Sequence, residues 1–168
     1  MIGIELDLIN KRKTTNISFI GKIEFPASYI PHLIEGLDYT TFVPFIKYRT
    51  NRLFFIYWQP YTPNCLSLEY LTELRMRLSL KYYKGDIMRV TDYSVEAFDE
   101  CEAHFLKGQW RNERDRVKGI FELMALNVGT FLLLFDISCT ENNLSGEGIT
   151  ELRAIRNSLQ FSENLIAN

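Results

Sequence analysis

From Thr130 to Ile137 the chain is almost continuously apolar over the length of one strand, directly after Gly129. A run this short and this uniform reads as a strand buried on both faces. The longer apolar stretch that contains it, Ile120 to Ile137, is interrupted by Glu122 and Asn127, so it is core and not a membrane span. The remaining elements must supply the layers that bury it.

Ahead of this run the sequence reads mostly as hairpins. Ile2, Ile4, Leu6 and Leu8 alternate with Gly3, Glu5 and Asp7, and Ile17, Phe19, Gly21, Ile23 and Phe25 alternate with Ser18, Lys22 and Glu24. Period two makes each a half-buried strand, with polar Asn10 to Asn16 as the loop between them. Pro31 fits the first turn of a short helix continued by His32 to Leu37. Phe42 to Tyr48 and Leu53 to Gln59 form a second hairpin, whose first strand Pro44 assigns to a sheet edge. A third hairpin spans 73–93: Leu74, Met76, Leu78, Leu80 and Tyr82 alternate with Glu73, Arg75, Arg77, Ser79 and Lys81 before a turn at Gly85. The helical spacing Leu71, Leu74, Leu78, Tyr82 also matches, but the longer alternation favours a strand.

After Ser94 the period changes. Val95, Phe98, Cys101 or Glu102, and Phe105 fall on one helical face that ends at Gly108, and Val117, Ile120, Phe121, Met124 and Val128 form a second stripe. Asn142 to Gly148 is a loop, and Ile149, Leu152, Ile155 and Leu159 mark a last amphipathic helix. Strands followed by helices give an α+β fold: an antiparallel sheet built largely from hairpins, C-terminal helices packed on one face, and one buried late strand. At 168 residues the chain reads as one domain, sheet-rich over 1–93 and helix-rich over 94–168.

Composition limits function more than it identifies it. With 46% apolar and 24% charged residues the chain is neither disordered nor a disulfide scaffold, and a net charge of −2 argues against a nucleic-acid-coating protein. Charge is nevertheless segregated. Residues 86–102 carry six acids (Asp86, Asp92, Glu96, Asp99, Glu100 and Glu102) against Arg89, whereas residues 107–118 carry five bases against Glu113 and Asp115. Three cysteines without a CxxC pair and an N-terminus that places Glu5 and Asp7 where a signal peptide needs bases point to a reducing, cytoplasmic setting.

Chemistry-bearing constellations are sparse. Neither His32 nor His104 accompanies a nucleophile motif. Glu100, Cys101 and His104 would share one side of a helix, yet they lack a second ligand cluster. Asp136, with Ser138 and Thr140 two and four residues on, reads as a strand-terminating cap. Asp136 followed by Glu151-Leu152-Arg153 departs from a nuclease pattern because an arginine cannot act as the base. These residues imply no cofactor and no metal. The aromatic cluster around Tyr57, Trp58 and Tyr61 and the acids Glu96, Asp99 and Glu100 are the binding candidates. They suggest a non-catalytic protein-binding protein, a small cytoplasmic inhibitor or immunity type of protein whose partner presents a basic surface. Membrane and nucleic acid are not expected partners. The alternative is a metal-dependent enzyme acting on nucleic acid or a nucleotide, with Asp136 and the Glu100/His104 group as its acids.

Overall fold

The computed structural model describes residues 12–17, 20–33, 39–44, 52–82, 86–99, 101–140 and 146–163. Among them the chain forms β1 (Arg12–Ile17), β2 (Gly21–Pro26), β3 (Tyr29–Leu33), β4 (Tyr39–Pro44), β5 (Arg52–Pro60) and helix α1 (Leu68–Tyr82). Then follow β6 (Asp86–Phe98), β7 (Cys101–Asn112), β8 (Val117–Val128), β9 (Phe131–Thr140), helix α2 (Glu147–Asn157) and β10 (Gln160–Phe161). A seven-stranded antiparallel sheet has the order β3-β4-β5-β9-β8-β7-β6, and a smaller sheet has the order β1-β2-β10. The fold is α+β and largely hairpin-built.

The late apolar run is the central strand. β9 pairs with β5 and β8, and its side chains enter two separate cores in alternation. Leu132 and Leu134 pack with Leu71, Leu74, Leu106, Phe121 and Leu123 beneath α1. Leu133, Phe135 and Ile137 pack with Phe54, Ile56, Met124, Ile149, Leu152 and Ile155 beneath α2, joined by Ile17, Ile23 and Phe25 of the small sheet. The large sheet therefore lies between α1 on one face and α2 with the small sheet on the other. The helices do not share a face, and only one of them is C-terminal.

Residues 73–93 are not a hairpin. Leu71 and Leu74 are buried whereas Met76 is 43% exposed, which is helical phase and not strand alternation. The start signal is Ser67, whose Oγ accepts the Tyr70 N–H at 3.2 Å and whose carbonyl accepts the Leu71 N–H at 3.0 Å. The two helices expected over 95–105 and 117–128 are strands instead, so 94–140 is sheet. β8 is buried without interruption from Phe121 to Leu126 because both faces are covered, which erases the two-residue period and leaves a stripe that mimics a helix.

Smaller differences have similar causes. The polar stretch expected as a loop contains β1, an exposed strand whose register with β2 runs from Arg12 opposite Pro26 to Ile17 opposite Gly21. Pro31 starts no helix; it lies in β3, the sheet edge, where a missing N–H is tolerated. Pro44 sits at the end of β4, which is an interior strand. The strand expected over Ile2 to Leu8 lies outside the described residues.

Gly108, expected to stop a helix, is in the middle of β7. A Cβ there would fall 2.4 Å from the Arg89 carbonyl oxygen and 2.5 Å from the Phe121 ring. Gly108→Ala is therefore expected to destabilise by about 1–3 kcal/mol in urea unfolding. Gly129→Ala is the contrasting control for contact, since nothing lies within 4 Å of its Cβ position, although its φ of 60° adds strain of its own.

Candidate functional site

The segregated charges lie on a two-stranded ribbon, not on two helices. β6 and β7 pair from Asp86 opposite Asn112 to Phe98 opposite Cys101, with a bulge between Val90 and Asp92. Thirteen residues of strand extend about 40 Å. Glu96, Asp99 and Glu102 are exposed at the hairpin end, and Asp99 turns the chain in the left-handed region at φ 55°. Arg89, Arg111 and Lys118 line a shallow depression of about 500 Å³ toward the opposite end. The ribbon is thus polarised along its length, acidic at the tip and mixed at the far end, where the bases outnumber Asp86, Glu113 and Asp115 and Arg111 lies 3.1 Å from Glu113.

The helix expected to carry Glu96 together with the Val95, Phe98 and Phe105 face is a strand here. As strand positions two apart, Glu96 and Phe98 point the same way, and both line one cleft with Phe105. The Ser94 Oγ donates to Glu96 Oε1 at 2.6 Å. Glu100 lies outside the described residues. Lys107, which also lines the cleft, is 3.7 Å from Asp92.

The cleft, about 340 Å³, ends on a group that no sequence motif marks. Glu122 of β8 points toward α2, where Arg153 forks onto both of its carboxylate oxygens and the Arg156 Nη1 donates to Oε2 at 3.2 Å. Burial works to raise the Glu122 carboxyl, but the hydrogen bonds and charge of Arg153, and then of Arg156, outweigh it and hold the group below the ordinary range. Arg156 is itself buried and its guanidinium lies 5.1 Å from the Phe105 ring centre. Arg153 is 46% exposed, so one cation of this triad faces the cleft. The legible signal was a lone glutamate inside an apolar run, with arginines three apart flanking the apolar stripe of the last helix.

The opposite face holds the other candidates. Asp136 does not cap a strand end: it is in the middle of β9, 6% exposed beneath α1, with Oδ2 3.0 Å from Arg75 Nε. Its Oδ1 is buried without a hydrogen-bond partner among the described residues, and burial pushes the carboxyl up to about 6 against the pull of Arg75. Arg75 also lies 4.1 Å over the Phe121 ring. Glu151 is on α2, across the sheet from Asp136; its carboxylate accepts from Tyr29 Oη at 2.5 Å and Arg52 Nη1 at 2.9 Å.

Cys101 and His104 do not share a side either, because positions three apart on a strand face opposite ways. Cys101 packs toward the α2 core, whereas His104 meets Tyr93 Oη at 2.6 Å and Glu102 Oε1 at 3.2 Å on the α1 side. Among the described residues no three His, Cys, Asp or Glu side chains are grouped to hold a metal ion. The aromatic trio is also divided. Trp58 packs against the α2 core, and Tyr57 and Tyr61 against the α1 core, all half-buried. No helix among the described residues is long and apolar enough to cross a membrane.

No known protein family and no curated protein matches the chain. Among solved structures it is similar to cyanobacterial PsbP (CyanoP) from Synechocystis sp. PCC 6803, with a TM-score of 0.65 and 12% identity over 92% of this chain and 94% of that one. It is also similar to a protein from Bacteroides thetaiotaomicron VPI-5482, with a TM-score of 0.54 and 11% identity over 92% of this chain and 49% of that one. At such identity the likeness is one of fold: the chain has a PsbP-like arrangement of antiparallel sheet and helices.

Proposed function

We propose that the protein is a non-catalytic protein-binding protein that covers a basic surface of its partner with the acidic end of the β6–β7 ribbon, as a small inhibitor or immunity protein does. The observation that carries this reading is the polarised ribbon at the sheet edge. Glu96, Asp99 and Glu102 are displayed together at one end, next to a cleft with its own partly exposed cation, Arg153. Such a field steers a partner of opposite charge and orients it, and its effect falls with salt. The acidic side chains at the tip are exposed and carry none of the core, so they can serve recognition.

The test is quantitative capture from the cells that produce the protein, using the full chain as bait. Asp99→Asn with Glu102→Gln removes two tip charges and leaves β6 untouched; Asn is suited to the left-handed backbone at position 99. Retention of the specific partner is expected to fall about tenfold, with the melting temperature nearly unchanged, and wild-type retention should weaken as salt is raised. Equal retention by both proteins at every salt concentration would refute the reading.

A further inference from the structure

β6 is 13 residues long and outermost in its sheet, so among the described residues no strand lies along its outer edge. Ile87 and Val95, 45% and 47% exposed, both belong to it. A long edge bearing exposed apolar side chains invites another strand. We infer that this edge joins two copies of the chain, β6 of one pairing antiparallel with β6 of the other about a two-fold axis at Tyr93. This goes beyond partner recognition at the ribbon tip: the second copy would engage Glu96, whereas Asp99 and Glu102 lie outside the paired strand.

The order of side chains along β6 selects the occupant. Its register with β7 puts Ile87, Arg89, Asp92, Ser94, Glu96 and Phe98 on the α2 side and Val90, Tyr93 and Val95 on the α1 side, with Thr91 as the extra residue of the bulge. With Tyr93 opposite Tyr93, Arg89 meets the second copy's Glu96, Val90 meets Val95, and Ile87 meets Phe98. By symmetry each pair occurs twice. The two exposed apolar residues are thereby covered, and between Ile87 and Phe98 every charged side chain faces an opposite or neutral one; Asp86 falls at the end of the pairing, opposite Asp99 in the turn. Sliding by two residues in one direction sets Asp92 against Asp92; sliding in the other sets Asp92 against Glu96. Like charges directly opposed disfavour both. Of these three registers, only the one about Tyr93 opposes no like charges between Ile87 and Phe98.

Light scattering on the full chain over a concentration series tests this, with single and paired charge exchanges. The wild type should approach twice 19.7 kDa as concentration rises. Glu96→Arg alone and Arg89→Glu alone each oppose like charges twice, and each should raise the dimer dissociation constant about tenfold. The double exchange restores both pairs and should return the constant to near the wild-type value. Circular dichroism confirms that each variant is folded. A wild type that stays at 19.7 kDa throughout, or single exchanges that dimerise as well as the wild type, would overturn the inference. Capture by the ribbon tip is read separately with the Asp99→Asn, Glu102→Gln protein, so failure of one proposal is distinguishable from failure of the other.

Discussion

Glu122→Leu is expected to lower the unfolding free energy by about 3–5 kcal/mol at neutral pH, because it strips the buried Arg156 of its counter-charge. Arg156 is 7% exposed, is held between β8 and the Phe105 ring, and has Glu122 as its ion-pair partner. Arg153 is less affected, since its side chain is 46% exposed and regains water. The comparison with a double variant separates lost pairing from lost packing. Adding Arg156→Leu removes the orphaned cation and should recover much of the loss, since an apolar pair of similar volume often replaces a buried ion pair without cost. Urea unfolding of the three proteins measures both steps, and a double variant no more stable than Glu122→Leu would refute the ion-pair explanation.

The second large effect depends on pH. Arg75→Met is expected to cost about 3–5 kcal/mol at pH 7.5 and much less near pH 4.5. Asp136 has its folded pKa raised from 3.8 to about 6, by burial first, with Arg75 pulling it down. The folded state therefore holds the proton more tightly than the unfolded one. The corresponding stability is fully present below about pH 4 and is lost as pH rises through about 6, a change of about 3 kcal/mol for a two-unit shift. Without Arg75 only the burial penalty remains, so the window deepens and moves upward. Glu122 runs in the opposite sense: its lowered pKa gives stability that is present above the ordinary glutamate value and is lost as pH falls through the folded value. The informative quantity is thus the difference between Arg75→Met and wild type at each pH. A difference that does not change with pH would show that Asp136 is not the group responsible.

Legibility of the fold followed how each element is buried. β9 was evident because a uniformly apolar strand has few other places to go, and α2 because Ile149, Leu152 and Ile155 fall on one stripe over a polar helix. α1 was misread because Arg75, which alternation assigns to solvent, is buried against Asp136, while Met76, which it assigns to the core, is not. The capping hydroxyl of Ser67 was the local signal that decides between the two. β7 and β8 were misread because the sheet is covered on both sides, so each strand mixes two apolar faces whose sum has no clear period.

The candidate surface was partly legible for a simpler reason. Charge segregation is visible in one dimension, and a hairpin preserves it by holding its tip apart from its open end. Glu96 and Asp99 therefore remain together and exposed although the helix that was to carry them is a strand and a turn. For Glu122, Arg153 and Arg156 the sequence carried only the separate signals of a lone glutamate and two arginines, because the members are 31 and 34 residues apart and meet only through the packing of α2 on β8. The Glu100, Cys101 and His104 cluster failed on geometry: three residues is nearly one turn of a helix but an odd step along a strand.

Hydrogen exchange of the chain with and without its captured partner addresses binding most directly. Slowed exchange is expected around the tip, in the segments before and after Asp99, and its extent should shrink as salt is raised. Protection centred instead on α1, with the ribbon tip exchanging as in the free protein, would contradict the account.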